Sequence, residues 1–385
     1  MSENINKYQQ ILSSFFDVSS AFTFWKGRVA LYAALKAMGI GPGDEVIIPG
    51  YTCVVDVNPV KYLGAKPVYV DVEPDTYNID VNLLAEKITP NTKVIMAQHT
   101  YGFPCDLDPI MELANANGIK VVEDCCHAFG PTYKGKLAGT FGQAAYFSGQ
   151  WNKPFTTGIG GMLVTADDEL AKKVEDLCKN EMVQPSAKEV FMLFAQLCVY
   201  RTFIYPRTTA MAQNLFRFLT KKGLVVGSST TSELNLEVAD DFFKSMSSVQ
   251  ARSGVKQMAK IQKNISHRRK ITKLYDQLLT EKGWPALKYD SSIMDPVIVK
   301  YPVRITEKNK ALEQAASAGI ELGDWFECPL HAAEAPLEAY DYTVGQCPVG
   351  EKACDEVVNL PTHMRVTEKT ARKTVDYITK FTKPD

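Results

Sequence analysis

The chain has 385 residues, more than one hydrophobic core usually supports, so we expect a large domain and a smaller one. The formal net charge of −1 argues against a nucleic-acid-binding protein, because such proteins concentrate basic residues on one face. The nine cysteines form no CxxC pair, and the polar N-terminus has no signal-peptide pattern, so we predict no metal, no disulfide framework and a cytoplasmic location.

Short apolar runs, most of them rich in β-branched residues, alternate with helical patterns along the first half of the chain. Six buried strands are predicted, at 45–49, 66–72, 93–99, 119–125, 144–148 and 161–165. Helical patterns cover 29–39, 81–88 and 108–118, and the first and third end at a glycine. This alternation predicts a doubly wound, mostly parallel α/β sheet, in which ligands bind beyond the carboxyl ends of the strands.

Polar side chains follow the ends of two predicted strands. Asp124 lies near the end of the fourth strand and His127 follows it, while Ser148 ends the fifth strand and Lys153 comes shortly after. Taken alone, the stretch "YFSGQWNKPFTTGIGG" would place Lys153 as a solvated surface charge. The neighbouring acid and hydroxyl favour a chemical role instead.

A predicted helix start near the N-terminus is a candidate anion-binding site. Gly27 and Arg28 open the helical pattern "GRVALYAAL", where free backbone N–H groups and the helix dipole favour a phosphate. Lysine can form a Schiff base with a carbonyl, and an acid can pair with a pyridinium nitrogen. The combination indicates pyridoxal 5′-phosphate as cofactor.

Several long motifs in a fixed order carry a family resemblance. They are "GRVALYAALKAMGIGPGDEVIIPGYT", "LGAKPVYVDVEPDTYNID", "VVEDCCHAFG", "YKGKLAGTFGQAAYFSGQWNKPFTTGIGG" and "NLPTH". In these the chain resembles the DegT/DnrJ/EryC1/StrS family of sugar aminotransferases, over nearly its whole length and most weakly at 181–245. The resemblance implies an α/β protein of fold type I and a pyridoxal-phosphate-dependent enzyme.

The resemblance also implies roles for single residues. Lys153 matches the lysine that bonds the cofactor covalently and then moves a proton during the reaction. Asp124 matches the carboxylate that pairs with the pyridine nitrogen, and His127 falls near the cofactor's 3-oxygen. Ser148 matches a hydroxyl on the phosphate.

Some positions depart from the family pattern. Arg28 stands where many members have threonine, so it either binds the phosphate or faces solvent. Cys53 stands where an aromatic often stacks on the cofactor ring, and Tyr51 is a candidate substitute for that aromatic. Cys53 itself either lines the cofactor site or only packs in the interior. Gly149 and Gln150 replace larger residues and reshape the entrance, where Tyr51 and Gln150 would meet the substrate.

Family members often complete the phosphate site with an asparagine from a partner subunit, so a homodimer is expected. In the matching run "FKSMSSVQA", Phe243 replaces the asparagine and Ser245 replaces an arginine. The cross-subunit contact is then either lost or taken over by Lys244.

The segment from Phe191 to Lys222 combines apolar bulk with unopposed positive charge. Its basic residues are Arg201, Arg207, Arg217, Lys221 and Lys222. One interpretation is a buried insertion, at about 181–240, that packs on the dimer. The other is peripheral membrane contact, or a pocket for a lipid-linked or bulky substrate.

The chain from 246 to 385 reads as the smaller α/β domain, and 1–245 as the large cofactor-binding domain. The pattern predicts one long helix at 248–279, a strand at 296–305 and a helix at 308–319. The run "ECPLH" matches a substrate-facing loop of the family, so His331 is either a substrate contact or a structural histidine.

We therefore predict transfer of an amino group, from glutamate, to a keto group of a nucleotide-activated sugar or a related glycan or lipid-linked precursor. Donor and acceptor follow from the resemblance, and the spacing supports only cofactor and lysine. A dehydratase or lyase on the same cofactor is one alternative, which Lys153 disfavours because dehydrating members carry histidine there. A non-catalytic relative that binds or regulates a partner is the other.

Overall fold

The computed structural model describes residues 2–204 and 231–384. Of the five basic residues in the segment from Phe191 to Lys222, Arg201 lies within the described residues. Arg207, Arg217, Lys221 and Lys222 lie outside the described residues, so the interpretation of the segment as membrane-binding or dimer-packing stays a prediction.

The described part contains strands and helices in alternation. Its strands are β1 (Ser20–Phe24), β2 (Glu45–Pro49), β3 (Thr52–Cys53), β4 (Lys66–Val70), β5 (Thr92–Gln98), β6 (Lys120–Asp124), β7 (Thr132–Tyr133), β8 (Lys136–Leu137), β9 (Ala144–Ser148), β10 (Gly161–Thr165), β11 (Met294–Asp295), β12 (Lys300–Arg304), β13 (Leu330–His331) and β14 (Val357–Pro361). Its α-helices are α1 (Glu3–Phe16), α2 (Gly27–Ala37), α3 (Val54–Tyr62), α4 (Val81–Leu84), α5 (Leu107–Ala116), α6 (Asp168–Glu181), α7 (Ala187–Val199), α8 (Thr231–Leu234), α9 (Ser248–Met258), α10 (Ile261–Glu281), α11 (Lys308–Ala315), α12 (Pro348–Glu356) and α13 (Glu368–Ile378).

Within the described residues, the main sheet has seven strands in the order β1-β10-β9-β6-β5-β2-β4. Strands β4, β2, β5, β6 and β9 run parallel, and β10 and β1 add two antiparallel strands at one edge. The predicted α/β class with a mostly parallel sheet is confirmed. Three predicted strands match to the residue, at 45–49, 144–148 and 161–165. Strand β1 was not predicted.

Helices cover both faces of this sheet, as expected for parallel strands that are buried on each side. In β2, Val46 and Ile48 pack with the core that contains α2 and α3. Ile47 points to the other face and packs with Ile110 of α5. Because successive side chains of a strand alternate between faces, the continuous apolar run in the sequence predicts this double burial.

A second core is built around α10, α13 and the antiparallel pair β12 and β14, and it also includes Tyr51, Tyr77 and Tyr101 from the N-terminal part. The prediction of one long helix at 248–279 is wrong, because α9 ends at Met258 and α10 begins at Ile261. The two helices have different partners. Gly254 of α9 fits against Tyr8 of α1, where a Cβ atom would lie 2.4 Å from the tyrosine ring, whereas α10 packs against α13.

Helix α7 shows the start of the apolar segment. A capping box between Ser186 and Glu189 begins the helix. Leu193 and Leu197 are buried against Trp151, while Phe191 on the opposite side is 70% exposed. Among residues 2–204 and 231–384, no helix is both long enough and apolar enough to cross a bilayer.

Candidate active site

Two neighbouring parallel strands end at the same edge of the main sheet and place the first candidate residues there. Asp124 is the last residue of β6, Ser148 is the last residue of β9, and Tyr146 of β9 pairs with Asp124. Lys153 lies in the loop from β9 to β10. The two strand ends predicted from the sequence to carry polar residues thus lie side by side in the structure.

The loop at 149–160 holds Lys153 in a compact turn. The amide of Lys153 donates to the carbonyl oxygen of Gln150 over 3.1 Å. Thr157 folds back on the start of the loop, and a Cβ atom on Gly149 would lie 2.4 Å from its Oγ1. Only glycine fits at that position, which explains why glycine and threonine follow the strand.

Helix α10 fixes the loop directly after Lys153. The carbonyl oxygen of Pro154 accepts hydrogen bonds from Asn264 Nδ2 over 3.0 Å and from Arg268 Nη2 over 3.1 Å. The position of the lysine backbone therefore depends on the C-terminal part of the chain as well as on the sheet.

The Lys153 ammonium lies 4.7 Å from the centre of the Trp325 ring. The Nζ atom of Lys300, from β12, lies 4.5 Å from the same centre. Such cation–π contacts attract both lysines to the same indole ring. Trp325 is thus the aromatic side chain in contact with Lys153.

His127 stacks on the same indole. The two ring centres are 4.7 Å apart with an angle of 7° between the planes. Burial lowers the pKa of His127 well below its ordinary value, and the nearby charges of Lys153, Lys300 and His331 lower it further. The backbone N–H of Tyr101 donates to His127 Nδ1 over 3.4 Å, so the neutral ring carries its proton on Nε2.

An open helix N-terminus faces Ser148. Helix α2 begins at Gly27, and in the described part of the chain the N-cap side chain of Lys26 makes no capping hydrogen bond. A Cβ atom on Gly27 would lie 3.1 Å from Ser148 Cβ and 3.4 Å from its Oγ. The hydroxyl therefore lies at the start of a helix, where an anion is favoured.

Arg28 is buried at this helix start, with 7% of its surface exposed, so the alternative that it faces solvent is wrong. Its Nη1 lies 3.0 Å from Glu233 Oε1, and Lys26 Nζ lies 3.1 Å from the same oxygen. Burial, reinforced by the charge of Arg28, lowers the pKa of Lys26 to about 8. The role of Arg28 toward a phosphate stays a prediction.

Tyr51 directly precedes β3, the short strand that pairs with β13, and Cys53 is the last residue of that strand. Tyr51 is fully buried, its hydroxyl lies 2.6 Å from that of Tyr101, and its ring packs edge-on against Phe326. Cys53 pairs with His331 across β3 and β13. Tyr51 thus belongs to an aromatic cluster that adjoins Trp325 through Phe326.

The two predicted entrance residues have local partners. Gln150 is half-buried, and its Oε1 accepts a hydrogen bond from the Asn152 amide over 3.3 Å. His331 Nδ1 lies 3.3 Å from Glu327 Oε1. Contact of either residue with a substrate stays a prediction.

The segment matched to the family's cross-subunit contact is engaged within its own chain. Phe243 packs in the main core against Phe24, with ring centres 5.9 Å apart. Lys244 Nζ lies 2.5 Å from carboxylate oxygens of Glu189 and of Asp241. A carboxylate pair thus already holds the ammonium proposed as a substitute phosphate ligand.

Sequence reasoning missed three side chains near the candidate site: Trp325, Lys300 and Asp56. Trp325 and Lys300 come from distant segments, and no local pattern connects them to Lys153. Asp56 carried a local signal, since a lone acid stands in the apolar run "CVVDVNPV". Buried acids of this kind are rarely without a specific role or partner.

A buried carboxylate, that of Glu123, supports the strand that carries Asp124. Glu123 Oε2 lies 3.1 Å from His99 Nε2, and its two oxygens accept the amides of Gly139, Phe141 and Gly142 over 2.6, 2.7 and 2.8 Å. Burial raises the pKa of Glu123, but these hydrogen bonds outweigh that effect and hold the pKa below its ordinary value. Glu123 therefore fixes β6 to the loop before β9.

Replacing Glu123 with alanine should lower the free energy of unfolding by about 3–5 kcal/mol, because four donors lose a buried, charged acceptor. Glu86→Ala, at an exposed position, should change it by less than about 0.5 kcal/mol. Because the folded pKa is depressed, this contribution is present above the ordinary glutamate pKa and is lost as pH falls through the lowered value. Denaturant-induced unfolding of both variants measures the free energy of unfolding. Equal decreases in Glu123→Ala and Glu86→Ala would contradict the structural role of Glu123.

The residues at this sheet edge fit pyridoxal 5′-phosphate. A side chain at position 27 would fill the space between the α2 N-terminus and Ser148, which glycine leaves for a phosphate. Asp124 is 3% exposed, and its Oδ1 accepts the Cys126 amide over 2.8 Å, so its carboxylate is held in place for a pyridine nitrogen. The Lys153 amine is the group that would bond the cofactor's carbonyl carbon.

The fold and this site define a class of protein, the pyridoxal-phosphate-dependent transferases with an α/β sheet. Comparison with known proteins narrows the class. A family model described as the DegT/DnrJ/EryC1/StrS aminotransferase family matches residues 1–194 and 208–379. The chain belongs to this family.

Individual relatives agree with this assignment. The chain is 32% identical to GDP-perosamine synthase of Caulobacter vibrioides over 373 residues, covering 94% of this chain and 86% of the relative. It is 28% identical to the UDP-2-acetamido-2-deoxy-3-oxo-D-glucuronate aminotransferase of Pseudomonas aeruginosa, covering 93% and 85%. The PLP-form structure of Spr1654 from Streptococcus pneumoniae has the same fold, with a TM-score of 0.74 at 22% identity, covering 99% and 90%.

The resemblance inferred from the motifs is therefore confirmed, together with the assignment to the aminotransferases and pyridoxal phosphate as cofactor. The roles of the individual site residues stay predictions.

Proposed function

We propose that this chain transfers an amino group from an amino acid, with glutamate as donor, to a keto group of a nucleotide-activated sugar. The observation that carries the proposal is the grouping of Lys153, Asp124 and Ser148 at one sheet edge beside an open helix N-terminus. The names of the relatives support the acceptor, since GDP-perosamine synthase and a UDP-linked oxo-sugar aminotransferase both act on nucleotide sugars.

When bound, pyridoxal phosphate supplies a carbonyl carbon that takes up and releases the amino group, and a ring that accepts electrons. Asp124 would hold the positive ring nitrogen by charge, and the Nε2 proton of His127 would be donated to a ring oxygen. The α2 N-terminus and Ser148 would bind the phosphate. The Nζ atom of Lys153 would accept a proton from the α-carbon of the amino donor and deliver it to the cofactor's carbonyl carbon.

We also propose a homodimer in the cytosol, built from a large domain at 1–245 and a small domain at 246–385. All nine cysteines, which lie within the described residues, are free thiols, and such usage suits a reducing compartment. The exposed apolar face of α7, with Phe191 and Phe194, is a surface that a second subunit would cover.

Isotope transfer tests the reaction directly. Full-length protein with pyridoxal phosphate is incubated with ¹⁵N-labelled glutamate and a panel of GDP- and UDP-linked keto-sugars. We expect ¹⁵N in one sugar nucleotide and an equal amount of 2-oxoglutarate, because the amino group leaves glutamate as the keto group is replaced. Mass spectrometry measures both products.

The matched control is the same keto-sugar without its nucleoside diphosphate, which should react far more slowly if the nucleotide is recognised. Loss of water from the sugar without ¹⁵N uptake would favour the dehydratase alternative. Bound cofactor with no change in any sugar or amino acid would favour the non-catalytic alternative.

A further inference from the structure

A second buried carboxylate lies beside Asp124 and has no role in the proposed reaction. Asp56, in the first turn of α3, is 7% exposed. A carboxylate oxygen of Asp56, one of Asp124 and the Cys126 sulfur all lie within 4.8 Å of one another. Two carboxylates this close in a dry interior cannot both be ionised without a large energetic cost.

The hydrogen bonds around Asp56 leave a place for an additional proton. Gln98 donates its amide protons to the Tyr51 carbonyl over 3.0 Å and to Thr100 Oγ1 over 2.9 Å, so its Oε1 faces Thr52. Thr52 Oγ1 lies 2.5 Å from that oxygen, and the single hydroxyl proton of threonine is used there. Asp56 Oδ2 lies 3.4 Å from the same Thr52 oxygen, a contact that becomes a hydrogen bond only when Asp56 carries a proton.

Titratable and charged side chains surround Asp56. Those that face it from the packed elements are Asp124, Lys153, Arg28, Tyr146, Cys126 and Cys53. Burial and the charge of Asp124 raise the pKa of Asp56 to about 7, against the opposing effects of Lys153, the Tyr146 hydrogen bond and Arg28. The Tyr146 hydroxyl also donates to Asp56 Oδ1 over 2.9 Å, which fixes the carboxyl group in place.

We propose that Asp56 and Asp124 form an acid pair that holds one proton, that this proton resides on Asp56, and that Asp56 thereby acts as a positioning residue for an ionised Asp124. The effect of this pair on the cofactor ring rests on the proposed function, whereas the pair itself does not. A neutral Asp56 leaves Asp124 as the single negative charge facing the ring nitrogen. Loss of the Asp56 proton at higher pH would add a second negative charge behind it.

Infrared spectroscopy of the full-length protein, with ¹³C-labelled aspartate and without cofactor, counts this proton. A protonated aspartate gives a carbonyl stretching band that the ionised form lacks. We expect wild type to lose one such band as pH rises through about 7, and Asp56→Asn to lack that band at every pH. Identical spectra for the two proteins would overturn the proposal.

The coupling to Asp124 is tested in a second variant. In Asp124→Asn the neighbouring negative charge is gone, so the Asp56 band should disappear at a pH lower by about one unit or more. A structural role for Asp56 without proton sharing predicts no shift, and an unshifted band would overturn the pair. If Asp56→Asn does not fold, the titration of wild type against Asp124→Asn still decides the question.

The outcome does not depend on amino transfer, because the band is measured without cofactor or substrate. Repeating the titration with pyridoxal phosphate bound adds one expectation. A positive ring nitrogen beside Asp124 should lower the pH at which Asp56 loses its proton. Suppose that the band shifts in Asp124→Asn and that the wild-type protein transfers no ¹⁵N. The acid pair would then be retained and the proposed reaction rejected.

Discussion

Lys153→Ala is expected to abolish amino transfer, with a loss in turnover above about 10³-fold, since proton transfer by a positioned side chain alone contributes roughly 10²–10⁴-fold. The side chain would supply both the covalent attachment of the cofactor and the proton transfer, and alanine supplies neither. Steady-state rates with the sugar nucleotide identified by isotope transfer measure the loss.

Two controls separate chemistry from folding. Lys179→Ala removes a lysine from an exposed turn of α6, where it pairs with Glu175, and should leave the rate unchanged. Lys153→Arg keeps a positive charge beside Trp325 but cannot bond the cofactor, so it should be as inactive as the alanine variant. A Lys153→Ala enzyme that turns over normally with an intact circular dichroism spectrum would reject the assignment.

Covalent attachment offers a separate measurement. Borohydride reduces a carbon–nitrogen double bond to a stable single bond, so reduction of the loaded wild-type protein should fix the cofactor's mass on the peptide that contains Lys153. Mass spectrometry that finds the mass on another lysine, such as Lys300, would move the catalytic role there. Lys300 is the informative competitor, because both ammonium groups contact the same indole ring.

The parallel strands and their ends were predictable because local sequence determines them. A continuous apolar run that is buried on both faces must be a strand within a covered sheet, and polar residues after it must lie at its edge. Asp124, Ser148 and Lys153 follow from this rule. Strand β1 escaped prediction because it is the antiparallel edge strand, and its residues Ser20 to Phe22 are only partly buried.

Features that depend on tertiary contacts were not predictable. The break between α9 and α10 contains neither glycine nor proline, and the chain there reads as uninterrupted helix. The break lets α9 pack on α1 while Asn264 and Arg268 of α10 reach the carbonyl oxygen of Pro154. Trp325 likewise reaches Lys153 across nearly half of the chain, and a single sequence carries no signal for that contact.

Asp124→Asn is the second variant with a large expected effect. Asparagine has the same shape, and its side-chain oxygen can still accept the Cys126 amide that now lies 2.8 Å from Asp124 Oδ1. The local fold should therefore persist. What is lost is the negative charge that would hold the ring nitrogen positive, and with it most of the ring's capacity to accept electrons.

We expect turnover to fall by roughly 10²–10³-fold, the usual effect of removing one electrostatic contact to developing charge, and cofactor affinity to fall much less. Affinity is expected to survive because Lys153 and the anion site at Gly27 and Ser148 are unchanged. Asp124→Glu is the matched control, since it keeps the charge but moves it, and it should retain more activity than the asparagine variant. Equal rates for wild type and Asp124→Asn, at saturating cofactor, would place the ring nitrogen elsewhere.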